Sequence, residues 1–298
     1  NCRCENCKEL LLLKAQEIET LKRNYLIKRY EGEYIDLPSP NEITLREAVF
    51  ILSLVRHCLS ENYETVEPFN CNQLPLAPLF DFQFDITQHL YSKSFIFISP
   101  DSPLEAFIFN EDYTEANRYF PKMVEWVFLP GNNSDEKRDF INHLESIVSS
   151  GEWPEHWSGD QDDLWREIAK MECFEYFEYL IVQRDFEVKA FGPKTHTVYE
   201  TMLRHFSIGQ AFNISWQAVR DTTDYIVKEG LPKYRANNMF IGAVQRKADK
   251  SMAENWNPKH SRRDFGCPQS VVSSTFFNLF LNMGDSVLET VPPSKTHS

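Results

Sequence analysis

Glycine is scarce in this chain, 10 of 298 residues. That scarcity excludes a collagen-like or other glycine-rich fibrous protein. The signatures of several enzyme classes are missing too. No G-x-x-x-x-G-K-[ST] loop or G-x-G-x-x-G turn offers backbone amides to a phosphate, and no G-x-S-x-G elbow or H-E-x-x-H pair occurs. No apolar run approaches the roughly 18 residues of a membrane-spanning helix, so no membrane partner is expected. The chain does not open on Met, nor on a basic segment followed by an apolar stretch and a small-residue cleavage site. Cysteine is sparse and odd in number at 7, which leaves one thiol unpaired in any disulfide scheme. A reducing, cytoplasmic setting is therefore expected.

What is present is a chain built to fold. Aromatic residues make up 14% and hydrophobic residues 42%, too many for a disordered protein. The 44 acids exceed the 31 bases, for a formal charge of −13. The length allows one large domain or two of ordinary size. Three stretches differ in character: residues 1–40, 41–150 and 151–298.

The first stretch carries a cysteine cluster and then a helix over Lys8 to Tyr30, in which Leu11, Ile18 and Tyr25 recur every seven residues. Such a helix either docks on the body of its own chain or dimerises. The second opens on a capping box, Thr44 with Glu47, ahead of Leu45, Ala48, Val49, Leu52, Val55 and Leu59 at helical spacing. Phe80, Phe82, Phe84 and Ile86 alternate with polar residues, which predicts a strand. Further strands are expected at Phe95–Ile98, Ala106–Phe109 and Val124–Leu129, the first two joined as neighbours through Pro100-Asp101-Ser102-Pro103. Ser134 or Asp135 caps a helix reaching Ser149. The third stretch reads as helices from about Asp162 to Val182, Thr197 to His205, Ile208 to Lys228, Arg235 to Asn255 and Gln269 to Met283. Gly242, inside the fourth of these, costs roughly 1 kcal/mol against alanine, so a close helix approach is expected there. The fold class that follows is α+β: a small antiparallel sheet within about 80–129, covered by helices, then a mainly helical C-terminal region.

Three constellations carry chemistry. Cys2, Cys4 and Cys7 place three thiols within six residues, a donor set suited to structural zinc whose fourth ligand comes from elsewhere; the plainer alternative is free thiols at a terminus. Arg138-Asp139-Phe140-Ile141-Asn142-His143 resembles the R-x4–6-H motif of HEPN-type RNases. The resemblance implies a metal-independent ribonuclease in which Arg138 stabilises the phosphorane and His143 moves protons, paired across a dimer. The plainer alternative is the polar face of an amphipathic helix.

The third is a charge asymmetry. Nine acids face two bases from Glu152 to Glu178, and nine bases face three acids from Lys228 to Arg263. Lys233, Arg235, Arg246, Lys247, Lys250, Arg262 and Arg263, with Tyr234, Trp256 and His260 among them, suit tracking of phosphates with stacking on bases. The plainer alternative docks these bases on the acidic helix of the same chain. The expectation that follows is a non-enzymatic interaction or regulatory protein with a protein partner or self-association, contacting nucleic acid through the basic C-terminal face. The competitors are the ribonuclease and a structural scaffold without ligand.

Overall fold

The computed structural model describes residues 5–30, 38–67, 69, 74–188, 191–233 and 236–293. Its architecture is α+β. The chain divides into two compact units, the first made of residues 1–43, 50–73 and 84–146, the second of 44–49, 74–83 and 147–298.

In the first unit, helix α1 (Glu5–Tyr30) precedes most of α2 (Leu45–Cys58) and α3 (Phe80–Ser92). Among the described residues its strands are short: β1 (Thr65–Val66) before α3, then β2 (Ile96–Ile98), β3 (Phe107–Phe109), β4 (Ala116–Tyr119) and β5 (Trp126–Phe128). They form two antiparallel sheets, β1-β5-β2 and β3-β4. The expected capping box starts α2: the Thr44 amide donates to Glu47 Oε2 at 2.8 Å and the Glu47 amide to Thr44 Oγ1 at 3.2 Å. The strands at 95–98, 106–109 and 124–129 are present, but β2 and β3 are not neighbours. β2 instead pairs with β5, with Ile96 opposite Phe128 and Ile98 opposite Trp126. Buried Ser102 turns the chain away after β2, because its hydroxyl donates to the Ser99 carbonyl at 2.7 Å and accepts the Glu125 amide at 3.1 Å. α4 (Ser134–Ser150) is capped one residue earlier than expected, by Asn133, whose Oδ1 accepts the Glu136 amide at 3.0 Å.

The expected strand at Phe80–Ile86 is a helix, α3. Its buried apolar positions are Phe82, Ile86 and Leu90, one every four residues, while Phe80 and Phe84 are 46% and 40% exposed. A strand would have set all four alternating residues on one face. The apolar period is helical once it is followed to Leu90, and the seven-residue alternation hid it.

In the second unit, α5 (Ser158–Val182) is buried along its length, from Leu164 to Ile181. Against it pack α6 (Pro193–Met202), α7 (Ile208–Glu229) and α9 (Val271–Ser274), the last continuing as a π-helical segment over Thr275–Phe280, while α8 (Ala236–Ala253) packs on α7 and α6. α7 starts on a reciprocal capping box between Ser207 and Gln210 and ends on Gly230, which takes the left-handed conformation at φ 61°. Phe280 packs on Trp153 and Trp157 at 5.8 and 6.0 Å between ring centroids, and Phe277 on Trp165 at 5.7 Å.

The helical assignment of α3 separates two neighbouring substitutions. Ile86→Ala is expected to cost about 2–5 kcal/mol of stability in urea unfolding, and Phe84→Ser close to nothing. Equal losses at both positions would restore the strand.

Candidate functional site

The residues 254–270, between α8 and α9, form a strap without regular secondary structure. It is fastened at every few residues. Gln210 Nε2 donates to the Pro258 carbonyl at 3.2 Å. Ser207 Oγ donates to the Leu288 carbonyl at 2.6 Å, so it accepts from His260 Nδ1, 3.0 Å away. The Ser261 amide donates to the Gly209 carbonyl at 2.9 Å, and Asn213 Nδ2 to Ser261 Oγ at 3.2 Å. Tyr179 donates its hydroxyl to Asp264 Oδ1 at 2.7 Å, and the Gly266 amide donates to the same oxygen at 3.0 Å. These two bonds hold the Asp264 carboxyl below its usual range. Ser207 and His260 are not a nucleophile and its base: Ser207 is fully buried and its hydroxyl is engaged in the cap of α7.

The close backbone approach lies at Gly209, not at Gly242. A Cβ on Gly209 would stand 2.5 Å from the Leu288 carbonyl oxygen and 3.0 Å from that of Ser261, whereas one on Gly242 would meet only the flexible ends of Arg246 and Lys194. The first turn of α7 thus lets the strap lie directly on it because residue 209 has no side chain.

Beneath the strap lies a cluster of ionisable groups. Glu172 of α5 has 0% exposure and forms an ion pair with Arg263 of the strap. The guanidinium also sits over the Phe212 ring, 5.9 Å from its centroid. One turn along α5, burial and then the charge of Glu172 push the Glu175 carboxyl up to about 8, with Arg263 and the Cys267 thiol opposing the rise. Burial and then Glu175 push the Cys267 thiol up to about 12. Burial likewise raises Cys173. Both thiols are therefore protonated and poor nucleophiles at neutral pH. With Glu175 protonated, the one remaining carboxylate is matched by one guanidinium. Chemically, the cluster acts as a fastening for the strap.

On its outer side the strap leaves Phe265 fully exposed, at 102%, and Trp256 at 45%, alongside exposed Lys259 and Arg262. The expected basic residues divide accordingly. Arg246, Lys250 and Arg262 are exposed. Lys233 is exposed but donates to the Asp185 carbonyl at 2.9 Å and lies over the Phe186 ring. Lys247 pairs with Asp221 at 2.8 Å, and Arg263 is turned inward to Glu172. Arg235 lies outside the described residues. The docking of basic C-terminal residues on the acidic helix thus holds for Arg263 and not for Arg262. Lys259 belongs to the expected basic stretch, whereas Phe265 had no place in it, since nothing in a lone Phe tells a core residue from an exposed one.

Arg138 and His143 are both exposed on α4. Arg138 pairs with Asp135 at 2.8 Å, and His143 Nε2 lies 3.4 Å from Asn41 Nδ2. Five residues apart, they point about 140° from each other around the helix, so one chain does not bring them onto one substrate atom. Cys2, Cys4 and the side chain of Cys7 lie outside the described residues. Among the described residues no group of three or more His, Cys, Asp and Glu could hold a metal ion, no helix is long and apolar enough to cross a membrane, and Cys58, Cys173 and Cys267 are buried and in no disulfide.

No protein-family model and no solved structure matches the chain. An uncharacterised protein of Rickettsia conorii is 38% identical over 56 residues, 19% of this chain and 68% of that protein.

The cluster sets a pH dependence. Glu175 holds its proton more tightly folded than unfolded, so its contribution to stability is complete below about pH 4.5 and is lost as pH rises through about 8. Urea midpoints are expected to fall between those limits, and Glu175→Gln to flatten that slope; a wild-type midpoint that rises over the same range would contradict the cluster.

Proposed function

The chain belongs to the family of the Rickettsia conorii protein, and from its own geometry we propose a non-enzymatic interaction protein that contacts single-stranded nucleic acid through the strap and the exposed face of α8. The observation that carries this reading is Phe265. The strap is tied down on both sides of it, at Ser261 and Asp264 before and at Gly266 after, yet the ring is left wholly in water. A loop free to collapse would bury such a ring; one held in this way presents it.

The surroundings suit bases and phosphates. Trp256 offers a second exposed aromatic surface, and Arg246, Lys250, Lys259 and Arg262 supply exposed positive charge. Stacking tolerates any base, since each has a π face, while cations track the backbone. The chain as a whole carries −13, so attraction is confined to this face and is strongly screened by salt. We place the protein in the cytoplasm, in keeping with the buried cysteines Cys58, Cys173 and Cys267, which form no disulfide. Structural zinc on Cys2, Cys4 and Cys7 is part of the proposal and is decided by the metal content of the purified chain.

Anisotropy of a labelled single-stranded RNA tests the interface. Saturable binding is expected near 50 mM salt, weakened by roughly an order of magnitude or more near 200 mM. Phe265→Ala should weaken it by about 5- to 150-fold, the loss of one stacked base. Arg262→Ala should lessen the salt slope by about 0.7. Absence of saturable binding at low salt, or indifference to Phe265→Ala, would overturn the reading. RNA recovered cut, and intact with His143→Ala, would favour the ribonuclease instead.

A further inference from the structure

Two cations of the second unit converge where no carboxylate meets them. Lys194 is the second residue of α6, Arg246 lies in α8, and the two helices pack together. A Cβ on Gly242 of α8 would stand 3.3 Å from Arg246 Nη1 and 4.0 Å from Lys194 Nζ, so both charged groups gather around one point. Both side chains are exposed, and among the described residues neither makes an ion pair or a hydrogen bond. The acids of these helices do not answer them. Glu200 of α6 is committed to Lys170 at 2.7 Å. Asp249 of α8 lies three residues beyond Arg246, yet the arginine reaches back one turn over Gly242 instead.

Packing gives Gly242 no reason to be glycine. It lies inside α8, where alanine is the better helix former. No backbone from another element approaches it, and an added Cβ would meet only the ends of Arg246 and Lys194. What the missing side chain leaves is a stretch of bare main chain between two cations. Held together, these repel each other, and an anion between them reverses the sign of that interaction. The charge they ask for is double. A carboxylate brings one charge and two oxygens in a plane. A phosphate monoester brings close to two charges and three oxygens in a tetrahedral array, so the guanidinium fork and the ammonium each find their own.

We propose that Lys194 and Arg246 hold a phosphate monoester over Gly242. The site goes beyond the nucleic-acid reading, because it needs neither Phe265 nor a strand. Its phosphate belongs either to the 5′ end of a strand or to a small molecule, and the chemistry of recognition is the same.

Calorimetric titration of the full chain with inorganic phosphate, at low ionic strength, tests the proposal. The wild type should bind one phosphate saturably. Lys194→Gln and Arg246→Gln should each weaken binding about tenfold or more. Lys93→Gln, at an exposed lysine of the first unit, should change nothing. Gly242→Ala should weaken phosphate binding while raising the thermal midpoint, an opposition that a mere packing role does not produce. Absence of saturable binding, an equal loss in Lys93→Gln, or undiminished binding in Gly242→Ala or either cation variant would overturn the proposal. RNA binding by a chain that takes no phosphate would sink this site and leave the strap reading standing. Where phosphate binds, a 5′-phosphorylated RNA held tighter than its 5′-hydroxyl counterpart, with the difference lost in Lys194→Gln, assigns the site to a strand end. Equal affinity of the two RNAs assigns it to a small molecule.

Discussion

The second unit depends on one buried ion pair. Glu172 sits on the inward face of α5, among buried Ile168, Ala169, Cys173 and Tyr176, with the carboxyl of Glu175 one turn along. A carboxylate there loses its hydration, at a cost of several kcal/mol. Arg263 offsets that cost by entering from the strap, and it lies against the Phe212 ring as it does so. The pair makes the path of the strap obligatory: moving Arg263 out leaves an uncompensated charge in the core. Buried pairs of this kind contribute more to the choice of one conformation than to net stability. Here the conformation chosen is the one that exposes Phe265.

The neighbours of the pair respond to that constraint. Burial first, and then the charge of Glu172, keeps the proton on Glu175, and burial first, then Glu175, keeps the proton on Cys267 of the strap. Tyr179, further along α5, anchors Asp264 from the opposite flank. Residues 263 to 267 are therefore held on three consecutive turns of α5, and Gly209 lets the preceding part of the strap lie on α7.

Much of the fold was legible because its signals are local. The capping box of Thr44 and Glu47 needs only four residues, and the long helices α5, α7 and α8 repeat their apolar period several times. The α3 segment misled because its phenylalanines alternate over a window shorter than two helical turns, and a period of two and one of 3.6 cannot be told apart there. The opposed charge of residues 152–178 and 228–263 was also legible, including the alternative that the two attract within one chain. Which arginine turns inward was not, since Arg262 and Arg263 are adjacent and chemically alike, and only the three-dimensional position of Glu172 separates them. The same holds for the aromatic residues of the strap, whose exposure is set by where their neighbours are tied.

Hydrogen exchange of the strap tests the central role of the Glu172–Arg263 pair most directly. The amides of Ser261, Gly266 and Cys267, each hydrogen-bonded in the native fold, are expected to be protected in the wild type and to lose that protection in Arg263→Met while the amides of α7 keep theirs. Equal protection of the strap in the two proteins would show that the ion pair does not hold it.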